Sequence, residues 1–315
     1  MDVDTRLLRY FVAVAEEGSI TRAAERLYVS QPALTKQIKH LEAQLGARLF
    51  TRSKAGTTLT EPGRVLAERA PRLLADLGRA LQEVKAAVGR EERVLRVGYL
   101  ASAANESTRP IVEEFTRRRP DWRVAMRQAA WSDPTAGLAA GDVDVALVRL
   151  PFPGQEHLRV DVLLTEPRWV ALPVDHRLAG RETIAFEELL DEPFVAAPVE
   201  TGAWRDFWLA ADARGGRPAR IGAVVDQPDD WLSAIDQGQG IALAPESAAR
   251  FYGRPGIVYR PVTGIEPTRV GVARTPAADT DPAVRDFVRC CTHIRDADTV
   301  SPTPGSSRWT SRRAR

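Results

Sequence analysis

Between Ser30 and Leu45 the sequence QPALTKQIKHLEAQL carries an amide, a hydroxyl and two ammonium groups at Gln31, Thr35, Lys36 and Lys39. Wound as an α-helix at about 100° per residue, these groups and Pro32 fall within roughly 0° to 140° of Gln31. Leu34, Ile38, Leu41 and Leu45 fall between roughly 280° and 340° and form an apolar stripe. The polar face has the chemistry of a groove reader: an amide matches an adenine edge, a threonine reaches a base or a thymine methyl, and a lysine reaches guanine or phosphate. A solvated helix face would give the same wheel.

Such a helix needs neighbours to hold its apolar side. From Thr5 to Glu17, Leu7, Phe11 and Val14 recur at helical spacing, and Gly18 stops the run. Ser19 caps a short helix, Ile20 to Leu27, in which Ala23, Ala24 and Leu27 allow a close helix crossing. Tyr28 and Val29 make a tight turn. Ser30 caps the polar-faced helix, with Pro32 in its first turn, where a missing N–H costs little. Two short helices across a brief turn form the helix-turn-helix pattern.

The segment from Leu8 to Gly63, through FVAVAEEGS, AAERLYVSQPALTKQIKHLE, LGARLFTR and LTEPG, closely resembles the DNA-binding domain of LysR-type transcriptional regulators. The resemblance implies that Gln31, Pro32, Thr35 and Lys36 approach bases or backbone in the major groove. It also implies a wing from Leu49 to Thr60, with Arg52, Lys54 and Thr58 at flanking phosphates. Arg52, Lys54, Gly56, Thr57 and Thr58 make a basic, turn-prone hairpin that suits this reading, while Arg48 reads equally as a phosphate contact or a surface charge. The winged helix-turn-helix is placed at residues 1–61.

Beyond Pro62 and Gly63, Leu66, Ala70, Leu73, Leu77, Ala80, Val84 and Ala87 recur in steps of four and three, a heptad seam. A helix over residues 62–89 spans on the order of 40 Å and either pairs with a second copy or packs on its own domain. The resemblance favours the linker helix of a dimer. Pro71 predicts a kink near Arg69 to Arg72, or a helix beginning in two pieces.

Gly89 to Arg93 reads as a charged hinge. VLRVGYL then reads as a strand, followed by a helix through Phe115, a second strand in RRRPDWRVAMR, a helix around Thr135 to Ala139, and the strands GDVDVALVRL and RWVALP. This alternation predicts an α/β sheet, in which ligands sit beyond the carboxyl ends of strands. LRVGYL, RPIVEEFTRRRPDWRV, LAAGDVDVALV, ALPVDHRLAG, FEELLDEPFV and AIDQGQGIALAP resemble, less tightly, the effector domain of the same family. The whole chain to about Ile294 is thereby covered. The implied fold class is α/β: a winged helix-turn-helix and linker helix, then a two-subdomain, periplasmic-binding-protein-like effector domain over residues 90–295. One subdomain takes about 93–164 and 269–294, the other about 165–268, with an inducer in the cleft.

The loops facing such a cleft carry Ser102, Trp131 and Arg149 on one side, and Thr201, Gly202, Trp204 and Asp226 on the other. An arginine at a strand end, a serine at a helix N-terminus and an aromatic wall suit an anionic, partly apolar ligand such as an organic or aromatic acid. Arg149 reads equally as a surface ion pair, Trp131 as packing, and Trp204 with Trp208 as partly core. Gly238 and Gly240 precede a strand and lack a third glycine, so they read as a helix C-cap in preference to a phosphate loop.

Composition narrows the function classes. The formal charge of +2 hides +5 over residues 1–90, from fifteen Lys and Arg against ten Asp and Glu, leaving −3 for the remainder. The four histidines are scattered, and there is no GxSxG, HExxH or Walker motif, so no enzyme, metal or cofactor is expected. Adjacent Cys290 and Cys291 read as core thiols. No stretch approaches the roughly twenty apolar residues of a membrane span and no signal-peptide run opens the chain, so a cytoplasmic protein with no membrane partner is expected. Residues 296–315 read as a disordered basic tail. Operator duplex, a small-molecule effector, further copies in a homodimer or homotetramer, and RNA polymerase are the expected partners. A regulator with no small ligand, acting through oligomer contacts alone, is the alternative.

Overall fold

The computed structural model describes residues 3–53, 56–100 and 103–300. Two units meet in sequence between Val84 and Lys85. In the first, α1 (Thr5–Glu17) starts where the Asp4 carboxylate accepts from the Arg6 N–H and stops at Gly18, which sits at a φ of 56°. Helix α2 (Ile20–Arg26) is capped by Ser19, and α3 (Gln31–Leu45) by Ser30, whose hydroxyl accepts from the Ala33 N–H. Leu34, Ile38 and Leu41 join Leu7, Phe11, Val14, Ala23 and Ala24 in one core, so the apolar stripe of α3 is buried and its opposite face is left to solvent.

Strands β1 (Phe50–Ser53) and β2 (Gly56–Leu59) form an antiparallel hairpin with Phe50 opposite Leu59. Its base is fixed at three points. Glu42 of α3 accepts from the Leu49 N–H at 2.8 Å, the Phe50 ring lies 5.2 Å from Phe11, and the Thr57 N–H donates to the Gly18 carbonyl. Helix α4 (Glu61–Glu91) follows. Its first turn comes so close to the hairpin that a Cβ on Gly63 would lie 2.1 Å from the Leu49 carbonyl oxygen, which only glycine tolerates.

Pro71 lies inside a single continuous α4, not at a junction between two pieces. Its missing N–H deprives the Ala67 carbonyl of a helical partner, but Ala67 and Ala70 pack on the core of the head and keep the turn in place.

In the second unit, β3 (Val94–Leu100), α5 (Thr108–Arg118), β4 (Arg123–Ala129), β5 (Val145–Leu150) and β6 (Arg159–Glu166) build most of one lobe. The other lobe holds β7 (Arg168–Pro173), β8 (Ile184–Ala185), β9 (Pro193–Ala196), α6 (Ala203–Trp208), β10 (Arg220–Val224), α7 (Pro228–Asp236), β11 (Ala242–Pro245), α8 (Ala248–Phe251) and β12 (Ile257–Thr263). The chain returns to the first lobe with β13 (Thr268–Arg274) and α9 (Pro282–Val300). The first sheet has the order β4-β3-β5-β13-β6, parallel across β4, β3 and β5 and antiparallel across β13. Strand β5 is buried at every position, as an apolar run in a covered sheet requires. The second lobe carries the order β11-β7-β12-β8 and the parallel pair β9 and β10.

Two expected elements differ. Residues 135–139 form turns instead of a helix: Asp133 accepts from the Thr135 N–H and hydroxyl and from the Gly137 N–H, and Ala136 and Gly137 have φ of 53° and 92°. Helix α9 runs through Val300, past the expected start of the tail at Asp296; the rest of the tail, 301–315, lies outside the described residues. Cys290 and Cys291 are buried in α9 as free thiols, and burial pushes both thiols up from their ordinary values. Gly238, at a φ of 70°, closes α7 by donating to the Ile235 carbonyl.

Polar ties join the two lobes. Arg149 of β5 donates to Glu166 at 2.9 Å and to the Ser247 hydroxyl at 3.0 Å, while Glu166 also accepts from the Ser247 N–H at 2.8 Å. Ser247 lies beyond β11, so the second lobe closes a network begun by the first. Arg149 is only 2 % exposed. Burial pulls its guanidinium down from the ordinary value, against the stabilising charge of Glu166.

Removing one partner of such a pair leaves the other charge buried. Arg149→Ala should therefore cost about 3–5 kcal/mol, and replacing Arg149 and Glu166 together by methionine should recover most of it. Urea unfolding followed by tryptophan fluorescence checks this, and additive losses in the double variant would contradict it. Tyr28, between α2 and α3, is 90 % exposed at a φ of 53°. Tyr28→Gly should relieve about 1 kcal/mol of backbone strain and slow amide exchange in α2 and α3 about fivefold; unchanged exchange would contradict it.

Candidate functional site

The outer face of α3 is a polar surface with its charges unspent. Gln31, Pro32, Lys36 and Lys39 are exposed, and Thr35 is half-buried beside them. The Gln31 amide donates to the Thr35 hydroxyl at 2.9 Å, which holds both side chains on one turn. Elsewhere on the head, Arg22 pairs with Glu17 and Arg26 with Glu16 and Glu17. Lys36, Lys39 and Arg48 make no ion pair among the described residues. Cations without carboxylate partners attract phosphate and can release its counterions.

Ser30 acts as the N-cap, orienting the first turn with its side chain. Thr58 is exposed on β2, its hydroxyl 2.7 Å from that of Thr51 across the hairpin. Arg52 lies in β1 opposite Thr57, and Lys54 falls outside the described residues.

In the second unit a cavity of about 60 Å³ lies where the two lobes meet. Trp131 and Arg149 come to it from the first lobe, and Trp204, Trp208, Trp231 and Tyr252 from the second. The indoles form a connected wall, with ring centroids 5.9 Å apart for Trp131 and Trp204, 6.2 Å for Trp131 and Trp231, and 6.0 Å for Trp204 and Trp208. Burial raises the Tyr252 phenol above its ordinary pKa, so the wall stays uncharged there near neutral pH.

Of the residues expected at the cleft, the cavity gathers Trp131, Arg149 and Trp204. Thr201 stands outside the wall because its hydroxyl donates to the Pro198 carbonyl at 2.7 Å within a one-turn bend. Gly202 opens α6 at a φ of 53° and supplies no lining atom. Asp226 is also outside, but it fixes Trp131: its carbonyl accepts from the Trp131 N–H and its carboxylate from the Ser132 N–H and hydroxyl. Ser102 falls outside the described residues. Arg149, open to both readings in the sequence, belongs to a buried ion pair and not a surface one.

Trp208, Trp231, Tyr252 and Arg205 also line the cavity. The i, i+4 spacing of Trp204 and Trp208 was a usable signal. Nothing local marks Arg205, because what places it is the packing of α6 against β11, some forty residues later. That approach is secured from behind by Arg168, which donates to the Phe207 and Glu266 carbonyls and lies over the Phe207 ring at 4.2 Å. Its burial brings its pKa down to about 10. No group of three or more potential metal ligands occurs among the described residues, and no helix among them is long and apolar enough to cross a membrane.

Comparison with known proteins accounts for both halves. Residues 5–64 match the family model described as bacterial regulatory helix-turn-helix protein, lysR family, and residues 89–295 match the LysR substrate binding domain. The chain is 28% identical to the HTH-type transcriptional regulator AlsR of Bacillus subtilis, over 91% of this chain and 94% of that one. It is 34% identical to the HTH-type transcriptional regulator XapR of Escherichia coli, over 82% and 87%. Among solved structures, full-length CbnR in complex with its target DNA matches with a TM-score of 0.52 and 26% identity, over 93% of this chain and 100% of that one. Both halves are thus accounted for, and the chain belongs to the LysR family of transcriptional regulators, with a DNA-binding helix-turn-helix and a substrate-binding domain.

Proposed function

We propose that this regulator acts in the cytoplasm as a homodimer or homotetramer, reads operator duplex with α3, and answers to a small acid held in the indole-walled cavity. The observation that carries the DNA reading is the outer face of α3, where Gln31, Pro32, Thr35, Lys36 and Lys39 stand together and neither lysine has a carboxylate partner among the described residues. Gln31 and Thr35 suit base edges, the lysines suit guanine or phosphate, and the hairpin residues Arg52, Lys54 and Thr58 suit the flanking backbone.

Helix α4 supports the oligomer. Leu66 and Ala70 are used by the head, but Leu73, Leu81, Val84 and Val88 are exposed at spacings of three to eight residues, and Leu77 is half-buried between them. An apolar seam of this kind is satisfied by the same seam on a second copy. A dimer then presents two reading helices to two half-sites. A ligand in the body that alters how the copies pack would change the bend imposed on DNA and so the access of RNA polymerase.

Lys36→Ala should weaken binding to the duplex upstream of the protein's own gene and lower the salt slope by about 0.9 if it meets one phosphate. An unaltered slope in a salt titration removes Lys36 from the phosphate contacts. Val84→Glu should raise the dimer dissociation constant at least about tenfold by placing like charges across the seam; sedimentation showing the wild-type assembly would reject α4 as the interface.

A further inference from the structure

The cavity wall contains two arginines, and they are not equivalent. Arg149 is already neutralised by Glu166 and held by Ser247. A ligand carboxylate brought to it would face Glu166 across one guanidinium, and two carboxylates sharing a site repel. Arg205, on α6, donates to the Ala197 carbonyl and makes no ion pair among the described residues. A carbonyl satisfies one donor of a five-donor fork and cancels none of its charge. Among the described residues no aspartate or glutamate lines the cavity, and Arg205 gives that wall a positive charge without an ion-pair partner among them.

Three further features agree on the chemistry of the occupant. The indole nitrogens of Trp131, Trp204 and Trp208 are buried with no hydrogen-bond partner among the described residues. Each is a donor only, and a buried unsatisfied donor is costly, so the wall favours an acceptor-bearing guest. Main-chain capture of Arg168 at Phe207 fixes the end of α6 and with it the place of Arg205. The volume, about 60 Å³, is well below the roughly 150 Å³ of an apolar cavity that takes up benzene. A compact guest without an aromatic ring suits such a space.

We infer that Arg205, and not Arg149, receives the acid group of the effector, and that the effector is a compact aliphatic carboxylate whose short chain rests among the indoles. The inference rests on the reading of this cavity as the effector site. Arg149 then becomes a positioning residue that holds the lobes together beneath the ligand.

The test titrates full-length protein with propionate, propionamide and benzoate at constant ionic strength, following tryptophan emission and the thermal midpoint. Propionate should bind, and propionamide, equal in size but uncharged, at least about tenfold more weakly, as expected when a charge-assisted hydrogen bond is lost. Arg205→Gln should weaken propionate by a similar factor without affecting propionamide, and Arg205→Lys should recover part of the loss. Thermal melts of both variants without ligand verify that they fold. Equal binding of acid and amide, or wild-type affinity in Arg205→Gln, overturns the role of Arg205 while leaving the cavity as the binding site. Benzoate binding tighter than propionate overturns the size class. If no probe changes emission or melting, the cavity is not an effector site, and the inference falls with that reading.

Discussion

The buried network of Arg149, Glu166 and Ser247 is the constraint on which the two-lobed body depends. Three residues from three segments, β5, the end of β6 and the start of α8, meet out of water, and each answers the hydrogen-bonding needs of the others. The chain crosses between lobes beside Glu166 and again between Thr263 and Thr268, so covalent linkage alone would leave the lobes free to separate. A paired charge at that point makes separation expensive, because each ion opened to poor solvation loses its partner. Asp226 adds a second tie by holding the Trp131–Ser132 turn of the first lobe to the segment after β10.

Behind the cavity, other buried arginines do architectural work through carbonyls. Arg168 and Arg214 carry guanidinium groups into the second lobe, where they hydrogen-bond the Phe207, Glu266, Leu209 and Leu190 carbonyls and lie over Phe207, Phe186 and Phe194. Burial pulls both below the ordinary guanidinium pKa. Carbonyl oxygens left over at the end of α6 are thereby satisfied, and the short helix that bears Trp204, Arg205 and Trp208 has a fixed end. Of these arginines only Arg149 and Arg205 line the cavity; Arg149 is in an ion pair, while Arg205 donates to the Ala197 carbonyl and has no ion pair among the described residues.

The reading head solves a different problem. Its carboxylates at Glu16 and Glu17 are engaged by Arg22 and Arg26, and Glu42 is turned inward to the main chain of Leu49 and Phe50. Those three carboxylates are thus occupied, while Lys36 and Lys39 are exposed on α3. The caps and the Gln31–Thr35 bond that set the first turn of α3 also place its polar groups side by side.

Much of this was legible from residue order. The head is built from contacts close in sequence: helical periodicity set which face of α3 is buried, Ser19, Ser30 and Gly18 set the helix ends, and the exposed face followed by geometry. Alternating strands and helices gave the α/β body, while the Trp204–Trp208 pair, read from its spacing as partly core, proves to line the cavity. The turn at 135–139 was not legible, because one carboxylate, Asp133, overrides the local helical preference by binding three donors. Nor was the division of labour among the arginines. A sequence shows that Arg149 and Arg205 are cations, but which one is cancelled depends on whether a carboxylate lies within a few ångströms. That distance is set only when strands and helices distant in the chain pack together, because charge pairing is decided by separation in space and local periodicity carries no information about it.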